Sequence, residues 1–446
     1  MIQHCTMIHR LAPLVQQYPW GSAEYIPRFL GVENPAQEPW AELWMGAHPR
    51  APSRLVGHKE NLLQWIAADP ERVLGKKILE RYGTNLPFLF KLLAAAEPLS
   101  IQCHPNREQA EEGYKRENDA GIPLDSPQRN YRDSNHKPEI LLAILPCTAL
   151  CGFRPVSVSR RIFEKILPSA PLLEKPVALL KEGKLKDFFL SLFSMPRPEI
   201  GECIRRVRDR LRKSFGTDTE GLYKTKGEGS IGGSGGKTGV LSSEEDIAYW
   251  FLQLSSWYPD DPGSFAPFYL NLIRLEPNEA LYLGAGVLHG YLEGFGVELM
   301  ANSDNVLRGG LTSKHVDLVE LLRIVEFSPQ EPNIIQPRRK NLRTRKGEGW
   351  EDLYPTPASE FLLSILRFQN VEQGEALLHT PIPGPQILLC GEGSIRIQGE
   401  SGSIKGCEKN SISVDVKKGD SVFVEAAVEN CLISGTGVLY RAQGGG

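Results

Sequence analysis

The apolar residues of this 446-residue chain change their period twice along its length. Short apolar runs broken by Pro and Gly fill the first third, in segments such as NLPFLFKLLAAAEPLSIQCHP and HKPEILLAILPCTALCGFRP. From about residue 156 the spacing becomes three and four, as at Leu185, Phe188, Phe189 and Leu192, and short runs return after about residue 265. The short runs indicate buried strands, although they do not exclude helix, and the middle spacing indicates helices.

A second set of short runs fills the end of the chain, in FLLSILRF, ILLCGEG, SIRIQG, DSVFVEAA and GVLYRA. Many short strands with frequent turns are typical of a jelly roll or a sandwich. The segment NEALYLGAGVLH, from Asn278 to His289, also aligns weakly with GDSVFVEAAVEN, from Gly419 to Asn430. Only the first copy ends in His, so a metal ligand at that place is expected in the first copy alone.

A Gly/Ser-rich stretch, GEGSIGGSGGKTG, interrupts the helical region and ends in Gly236-Lys237-Thr238. This ending resembles that of a phosphate-binding P-loop, but the first glycine of that motif would fall at Ile231, and no strand-like run precedes it. We therefore predict a surface loop over residues 227–239.

Composition and charge narrow the class of protein. The net charge of −3 gives no global attraction to nucleic acid or anionic lipid. No apolar run approaches the roughly 18 residues of a membrane span, and the N-terminus lacks the apolar segment of a signal peptide. Eight dispersed cysteines without a Cys-x-x-Cys pair indicate reduced thiols. We expect a cytoplasmic protein without nucleic-acid or membrane partners.

The first group of candidate functional residues lies in PLSIQCHPN. If SIQCH forms a strand, Gln102 and His104 project on one face and Cys103 on the other. Imidazole is a common zinc ligand, and a Gln side chain offers a carbonyl oxygen, although Gln is an uncommon zinc ligand. Spacing alone leaves open whether this pair binds a metal.

A second group lies in NHKPEI, which contains His136, Lys137 and Glu139. A strand here would place Lys137 and Glu139 on one face. The carboxylate could bind a metal, and the ammonium could hold an oxyanion or move a proton. A solvated surface strand explains the same residues, so this group is not decisive alone.

A third group extends from His289 to Lys314. Glu298 follows His289 by nine residues, and NSDNVLRGGLTSK then supplies Asp304, Arg308 and Lys314 around a Gly-Gly break. A Gly-rich loop flanked by cations can receive a phosphate or a developing negative charge, and it can equally be a charged surface loop.

The three groups together contain nitrogen and oxygen donors without a thiolate: Gln102, His104, Glu139 and His289. The net charge of this set is only −1. A zinc ion held by it would stay strongly electrophilic and suited to polarising a hydroxyl or carbonyl oxygen.

At these residues the sequence resembles type I phosphomannose isomerases. The similar segments are YPWGS, PWAELWMGAHPRAPS, PLSIQCHPN, NYRDSNHKPEI, CGFRP, YLGAGVLHGYLEG and MANSDNVLRGGLTSKHVD. They extend over nearly the whole chain, and several are long and specific. Cys103, Asn278, Gly309 and the Gly/Ser-rich stretch depart from the family pattern, but none of them is a candidate ligand.

The resemblance implies a mainly β fold with an α-helical insert. We expect a cupin-type jelly-roll catalytic domain at residues 1–155 and 261–325, a helical domain at 156–260, and a second, C-terminal jelly roll without metal ligands at 326–446. The family further implies one Zn²⁺ per chain and a small sugar phosphate as substrate, and we expect a monomer.

The resemblance also implies the site residues. The zinc ligands would be Gln102, His104, Glu139 and His289. Arg308 matches the active-site arginine of the family, and Lys137 and Glu298 are alternatives for moving the proton. Substrate or phosphate contacts are expected from Lys91, Ser100, His136, Asp304 and Lys314.

The implied reaction is the reversible interconversion of D-mannose 6-phosphate and D-fructose 6-phosphate, in which a proton moves between C1 and C2 through an enediol(ate). Two other functions could use the same residues. A metallohydrolase or other cupin enzyme would need an activated water, and a sugar-phosphate sensor would have lost turnover.

Overall fold

A computed structural model describes residues 7–215, 239–344, 346–379, 384–401 and 412–445. The loop predicted at 227–239 lies outside these ranges except for Gly239. The α-helices are α1 (Tyr25–Leu30), α2 (Leu62–Ala68), α3 (Pro70–Leu74), α4 (Lys76–Tyr82), α5 (Arg107–Asp119), α6 (Val156–Ile166), α7 (Glu174–Lys181), α8 (Leu185–Phe193), α9 (Arg197–Phe215), α10 (Glu244–Trp257), α11 (Ala266–Tyr269) and α12 (Leu318–Ile324). Short 3₁₀ helices span Leu167–Ser169, Pro171–Leu173 and Pro262–Phe265.

The strands are β1 (Ile8–Ala12), β2 (Leu14–Gln16), β3 (Glu42–Met45), β4 (Arg54–Leu55), β5 (Phe88–Ala95), β6 (Gln102–Cys103), β7 (Glu139–Ala143), β8 (Cys147–Phe153), β9 (Gly239–Leu241), β10 (Leu270–Leu275), β11 (Ala280–Leu283), β12 (His289–Ala301), β13 (Leu307–Arg308), β14 (Asn333–Ile335), β15 (Arg338–Asn341), β16 (Glu348–Tyr354), β17 (Phe361–His379), β18 (Gln386–Ser401), β19 (Ile412–Lys417), β20 (Ser421–Val424) and β21 (Val428–Gly444).

These strands form two sheets. The first sheet has the order β14-β11-β7-β12-β5-β3-β2; β6 and β8 also pair with β12, β10 joins β8 to β9, and β13 pairs with β6. The second sheet has the order β15-β16-β17-β21-β18-β20-β1-β4, with β19 on β18. With a run of helices between β8 and β10, this is the predicted mainly β fold with a helical insert.

The strands of the first sheet follow the apolar runs closely. Every residue of β5, β7 and β8 is buried, which explains why their sequences are continuously apolar rather than alternating. In the second sheet, ILLCGEG and SIRIQG form the single strand β18 instead of two strands. The register shifts between Cys390 and Glu392, so a bulge accommodates the extra residue Gly391 and the strand continues.

The helical insert runs from α6 to α10. The four apolar residues predicted to share a face are the buried residues of α8. The sequence Ser242-x-x-Glu245 resembles a capping box and predicts a helix start at Ser242. This prediction is wrong by one residue, because Ser243 has the extended backbone of an N-cap and its side chain accepts from the Asp246 N–H at 3.0 Å. The insert shares one hydrophobic core with residues of the first sheet, including Cys103.

The N-terminal strand lies in the second sheet. Ile8 of β1 pairs with Val424 of β20, and Leu11 pairs with Leu55 of β4. Next to this seam the buried carboxylate of Glu425 accepts from His9 Nε2 at 2.8 Å. The domain limits remain a prediction. They assign residues 1–155 to the catalytic domain, whereas β1 lies in the second sheet with the C-terminal strands.

The two copies of the weak internal repeat have similar backbone conformations, one in each sheet. Asn278 has φ +74° and Gly419 has φ +90°, and each precedes a four-residue strand. Asn is one of the few residues besides Gly that tolerates this left-handed region, which explains how Asn278 takes the place that Gly419 has in the second copy. Among the described residues, no helix has the length and apolar character needed to cross a bilayer.

Candidate active site

Three buried donors meet where strands of the first sheet begin or end. His104 follows β6, Glu139 is the first residue of β7, and His289 is the first residue of β12. Their ligand atoms lie within 4.8 Å of one another. Pairing of β12 with both β6 and β7 brings these distant segments together.

The residues of this cluster fit a metal ion. Among the described residues, Nε2 of His104, Nε2 of His289 and Oε2 of Glu139 have no hydrogen-bond partner. The histidine Nε2 atoms lie 3.4 and 3.5 Å from the oxygens of Glu139, beyond the usual N–H···O range of about 2.7–3.2 Å. Buried polar atoms without partners are costly, and one cation bound between them would satisfy all three.

Backbone carbonyls orient both imidazoles. Nδ1 of His104 lies 2.8 Å from the carbonyl oxygen of Asn305, and Nδ1 of His289 lies 2.9 Å from that of Val287. A carbonyl accepts only from an N–H, so each Nδ1 carries the hydrogen and each Nε2 keeps its lone pair for a metal. Burial lowers the pKa of His104 to about 4, and the nearby Lys137 acts in the same direction.

Lys137 completes the charge balance of the cluster. Its Nζ lies 2.8 Å from Oε1 of Glu139. Burial alone would raise the pKa of Glu139, but Lys137 and His104 outweigh burial and hold that pKa well below its usual value. The carboxylate is therefore ionised and able to bind a cation through its other oxygen.

Gln102 and Cys103 point in different directions, as strand alternation predicts. Gln102 lines a cavity, whereas Cys103 is fully buried in the core shared with the helical insert. Burial raises the pKa of the Cys103 thiol, which disfavours a thiolate ligand. Only Gln102 and Cys103 of the SIQCH segment form a regular strand, and Gln102 lies opposite both His289 and Arg308.

A cavity of about 540 Å³ opens next to the cluster. Its wall contains most of the predicted site residues: Lys91, Ser100, Gln102, Lys137, Glu139, Glu298, Asp304, Arg308 and Lys314. His136 instead lines a neighbouring cavity of about 470 Å³, where its Nε2 lies 2.7 Å from Oε1 of Glu360. The structure thus gathers nine of the twelve predicted residues on one cavity; His136 lies in the neighbouring cavity, and His104 and His289 do not line the wall but have ligand atoms within 4.8 Å of that of Glu139.

Three cations face this cavity together. Within the described part of the chain, Arg132, Arg308 and Lys314 form no ion pair with a carboxylate. Burial lowers the pKa of Arg308, and Arg132 lowers it further; burial, Arg308 and Arg132 also lower the pKa of Lys314. Unpaired like charges held near one another attract an anion such as a phosphate.

Lys91 and Glu298 form a buried ion pair in the wall of the same cavity. Nζ of Lys91 lies 2.7 Å from Oε2 of Glu298 and 3.2 Å from Oε1 of Glu42. Burial alone would lower the pKa of Lys91, but the two carboxylates outweigh it and raise that pKa. Burial raises the pKa of Glu298, against the effect of Lys91. A carboxylate with a raised pKa is suited to accepting and returning a proton.

Asp304 lines both cavities. Its carboxylate lies 3.4 Å from Nε2 of His48 and 2.5 Å from Nη2 of Arg50. Burial alone would raise the pKa of Asp304, but His48 and Arg50 outweigh it and lower the pKa to about 2. The carboxylate is therefore ionised and already paired.

Comparison with known proteins identifies the family. The family model described as "Phosphomannose isomerase type I, catalytic domain" matches residues 8–156. The mannose-6-phosphate isomerase of Escherichia coli K12 is 33% identical over 440 residues, covering 97% of this chain and 99% of that protein. The human protein of the same name is 32% identical and covers 94% of each chain. The chain belongs to the type I phosphomannose isomerase family.

Solved structures of phosphomannose isomerases share the fold of this family member. A point mutant of the enzyme from Salmonella typhimurium matches 99% of this chain and 100% of its own, with a TM-score of 0.80 at 32% identity. A mannose 6-phosphate isomerase bound with zinc and yttrium matches with a TM-score of 0.77 at 32% identity and the same coverage. Both the family resemblance and the fold class predicted from the sequence are confirmed.

The phosphomannose isomerase site contains residues that the sequence reasoning missed. Arg132 lies in the quoted segment NYRDSNHKPEI, yet nothing in its spacing indicates that it faces Arg308. The backbone carbonyl of Asn305 accepts a hydrogen bond from His104 Nδ1. Glu42 accepts a hydrogen bond from Lys91, which also pairs with Glu298. A lone arginine, asparagine or glutamate carries no motif, so only the folded chain reveals these contacts.

Proposed function

We propose that this chain interconverts D-mannose 6-phosphate and D-fructose 6-phosphate in the 540 Å³ cavity. The observation that carries the proposal is the buried cluster of His104, Glu139 and His289, whose three unpartnered atoms lie beside a cavity walled by unpaired cations. The cluster suits a divalent metal, and the cations suit a phosphate. This combination matches an anionic sugar held beside a Lewis acid.

The metal would be one Zn²⁺, held by Gln102, His104, Glu139 and His289. Two neutral imidazoles, one carboxylate and one amide oxygen form the mixed donor set that zinc accepts. When bound, zinc polarises the oxygens at C1 and C2 of the sugar without changing its own oxidation state.

The positions of the cations along the chain suggest two different roles. Arg308 lies directly opposite Gln102, so it faces the metal end of the cavity and would stabilise the developing oxyanion. Lys314, beyond the following turn, would bind the phosphate together with Arg132 and Ser100. Holding the phosphate at one end fixes the reacting carbons relative to the other end.

Glu298 is our candidate for moving the proton between C1 and C2. Its carboxylate lines the cavity, and its raised pKa favours proton uptake. Lys137 is already bonded to Glu139, which supports a role as a fixed cation that keeps this carboxylate ionised. Lys91 is bonded to two carboxylates, which supports a role in holding Glu298 rather than the phosphate contact predicted above.

Asp304 would act at the cavity mouth by orienting Arg50, and His136 would stay outside the cavity. We further propose a cytoplasmic monomer. Five buried cysteines have free thiols, which suits a reducing compartment: Cys103, Cys147, Cys151, Cys203 and Cys390. Sedimentation of the purified chain would measure the oligomeric state directly.

The test combines turnover with metal analysis on one sample. We expect fructose 6-phosphate to form from mannose 6-phosphate, activity to vanish on dialysis against a chelator, and zinc to restore it. Full turnover by metal-free protein would contradict the proposal. Release of inorganic phosphate would indicate a hydrolase, and tight binding of sugar phosphate without turnover would indicate a sensor.

Arg308→Ala provides the matching variant. We expect it to keep its zinc and to lose about 100- to 1000-fold in turnover, as is typical when an oxyanion donor is removed. Arg339→Ala is the control, because this exposed arginine pairs with Asp352 in the second sheet. Turnover of Arg308→Ala close to that of the control would remove Arg308 from the reaction.

A further inference from the structure

Asp261 is a buried carboxylate at the exit of the helical insert, 5% exposed. It begins the 3₁₀ helix Pro262–Phe265, where its Oδ1 accepts from the Gly263 N–H at 2.7 Å. Its other oxygen, Oδ2, accepts from the Thr312 N–H at 3.3 Å, 51 residues away. One side chain therefore joins the end of the insert to the turn that follows Arg308.

The backbone of this turn needs an external support. Leu311 has φ +54°, a left-handed conformation that is unfavourable for a leucine, and Gly310 has φ +122°. Burial raises the pKa of Asp261, and the N–H groups of Gly263, Leu311 and Thr312 oppose that rise. The N–H groups of the strained turn thus converge on this carboxylate.

The backbone at Gly263 is also in direct contact with the backbone of the turn at Gly310 and Leu311. A Cβ added at Gly263 would lie 2.8 Å from the Leu311 nitrogen, and one added at Gly310 would lie 3.0 Å from Cα of Gly263. Contact this close is available only to two glycines. On its other side the turn is hydrogen-bonded to the residue before β6, because the Ile101 N–H donates to the carbonyl of Gly310 at 3.0 Å.

The turn is therefore held between Ile101, next to the ligand Gln102, and Asp261, at the end of the insert. It separates Arg308 from Lys314, and both side chains line the cavity. Its exact course sets how far these two cations stand from the metal cluster and from each other. No sugar or phosphate contact is available to Asp261 itself, since its oxygens are turned toward backbone N–H groups.

We infer that Asp261 is a positioning residue for the sugar phosphate: it fixes the 309–312 turn so that Arg308 and Lys314 reach the substrate together. This inference rests on the proposed function for the identity of the ligand. It also gives the helical insert, whose Tyr258 lines the cavity, a second link to the active site.

Two variants disturb the contact between Asp261–Gly263 and the 309–312 turn in different ways. Asp261→Asn keeps the shape but places an amide N–H against a backbone N–H. Gly263→Ala keeps the carboxylate and pushes a methyl group toward Leu311. For both we expect unchanged zinc content and a fall of about 10- to 100-fold in kcat/KM, because displacement of a positioning group by about 1 Å can cost that much.

Binding is measured by calorimetry with glucitol 6-phosphate, a sugar phosphate without a carbonyl that cannot be isomerised. We expect its affinity to fall by about the same factor in both variants. Ser243→Ala is the matched control, since it removes an N-cap bond of the insert, to the Asp246 N–H, far from the turn. This control should lower the melting temperature but leave affinity and KM unchanged.

Wild-type affinity for glucitol 6-phosphate in a folded Asp261→Asn variant would overturn the inference. So would an affinity loss in the Ser243→Ala control as large as that in the two variants. If Asp261→Asn does not fold, Gly263→Ala decides. If the wild type binds glucitol 6-phosphate but forms no fructose 6-phosphate, the proposed function is wrong. The role of Asp261 is then tested by the affinities of the wild type and the two variants for glucitol 6-phosphate.

Discussion

Lys91 and Glu298 stand directly opposite each other on β5 and β12, with Nζ 2.7 Å from Oε2. Both side chains are buried, and Glu42 Oε1 lies 3.2 Å from the same ammonium. All three side chains line the cavity, so two carboxylates in its wall hold the ammonium of Lys91. A lysine bound in this way has little freedom to follow a phosphate.

Replacing Lys91 by Met tests this relationship. The change leaves two buried carboxylates without a cation, so we expect the free energy of unfolding to fall by about 3–5 kcal/mol. We also expect kcat to fall more than KM rises, whereas Lys314→Met should mainly raise KM. Urea unfolding and steady-state kinetics measure both effects. A larger rise in KM for Lys91→Met than for Lys314→Met would restore the phosphate role predicted from the sequence.

Asn305→Ala tests the support behind His104. The buried Asn305 amide donates to the carbonyls of Asp133 and Asn135 at 2.8 Å each, and its own backbone carbonyl orients the imidazole. We expect zinc affinity to fall by about 10- to 100-fold, as is usual when such a support is lost. Competition with a chromogenic chelator measures this affinity.

The control for that prediction is Asn302→Ala. The Asn302 side chain donates to the carbonyl of Leu86 at 3.2 Å and has no link to His104. Its zinc affinity should equal that of the wild type. Equal affinities for Asn305→Ala and Asn302→Ala would mean that the His104 carbonyl contact needs no help from the Asn305 side chain.

Cys103 and Gln102 provide a pair of neighbours with opposite expected outcomes. Cys103→Val replaces a fully buried thiol by a side chain of similar size, so zinc content and turnover should stay within about twofold of the wild type. Gln102→Leu removes the amide oxygen from the cavity wall and should lower both. Zinc per chain and turnover are measured on the same preparations. Loss of zinc from Cys103→Val would place the thiol in the site after all.

Acid titration tests the ion pairs of Asp304. Its pKa of about 2 lies below the usual value near 3.8, so its contribution to folding is complete above about pH 4 and is lost as pH falls toward 2. The side chain is 25% exposed, and with allowance for solvent screening we expect about 1–2 kcal/mol.

The measurement is urea unfolding of the wild type and of Asp304→Asn at pH 7, 4.5 and 3. The difference in unfolding free energy should be similar at pH 4.5 and 7 and smaller at pH 3. Using the difference removes the titration of other groups, which both proteins share. A difference that grows toward pH 3 would contradict the lowered pKa.

Local patterns in the sequence predicted the parts of the fold that depend on near neighbours. The continuous apolar runs of β5, β7 and β8 identify buried strands, and the spacing in α8 identifies its buried face. The bulge in β18 was missed because a glycine pair has the same appearance in a turn and in a bulge. The N-cap was misplaced because two adjacent serines offer the same chemistry.

The site was predictable only where residue types carry their own chemistry. His104 and Glu139 attract attention as donors, whereas Asn305 becomes important through a carbonyl contact across 201 residues of chain. Arg132 likewise depends on its backbone N–H, which donates to Asn305 Oδ1 at 2.7 Å over 173 residues. No spacing rule covers such separations, so these contacts follow from the fold alone.

The pairing of β1 with β20 has a consequence for biosynthesis. Ile8 leaves the ribosome early, but its partner Val424 follows 416 residues later. At about 5–20 residues per second, the first strand waits roughly 20–80 s for its place in the second sheet. Until then the backbone groups of β1 that pair with β20 form an open edge, so the nascent chain carries an aggregation risk at this strand that only the synthesis of β20 removes.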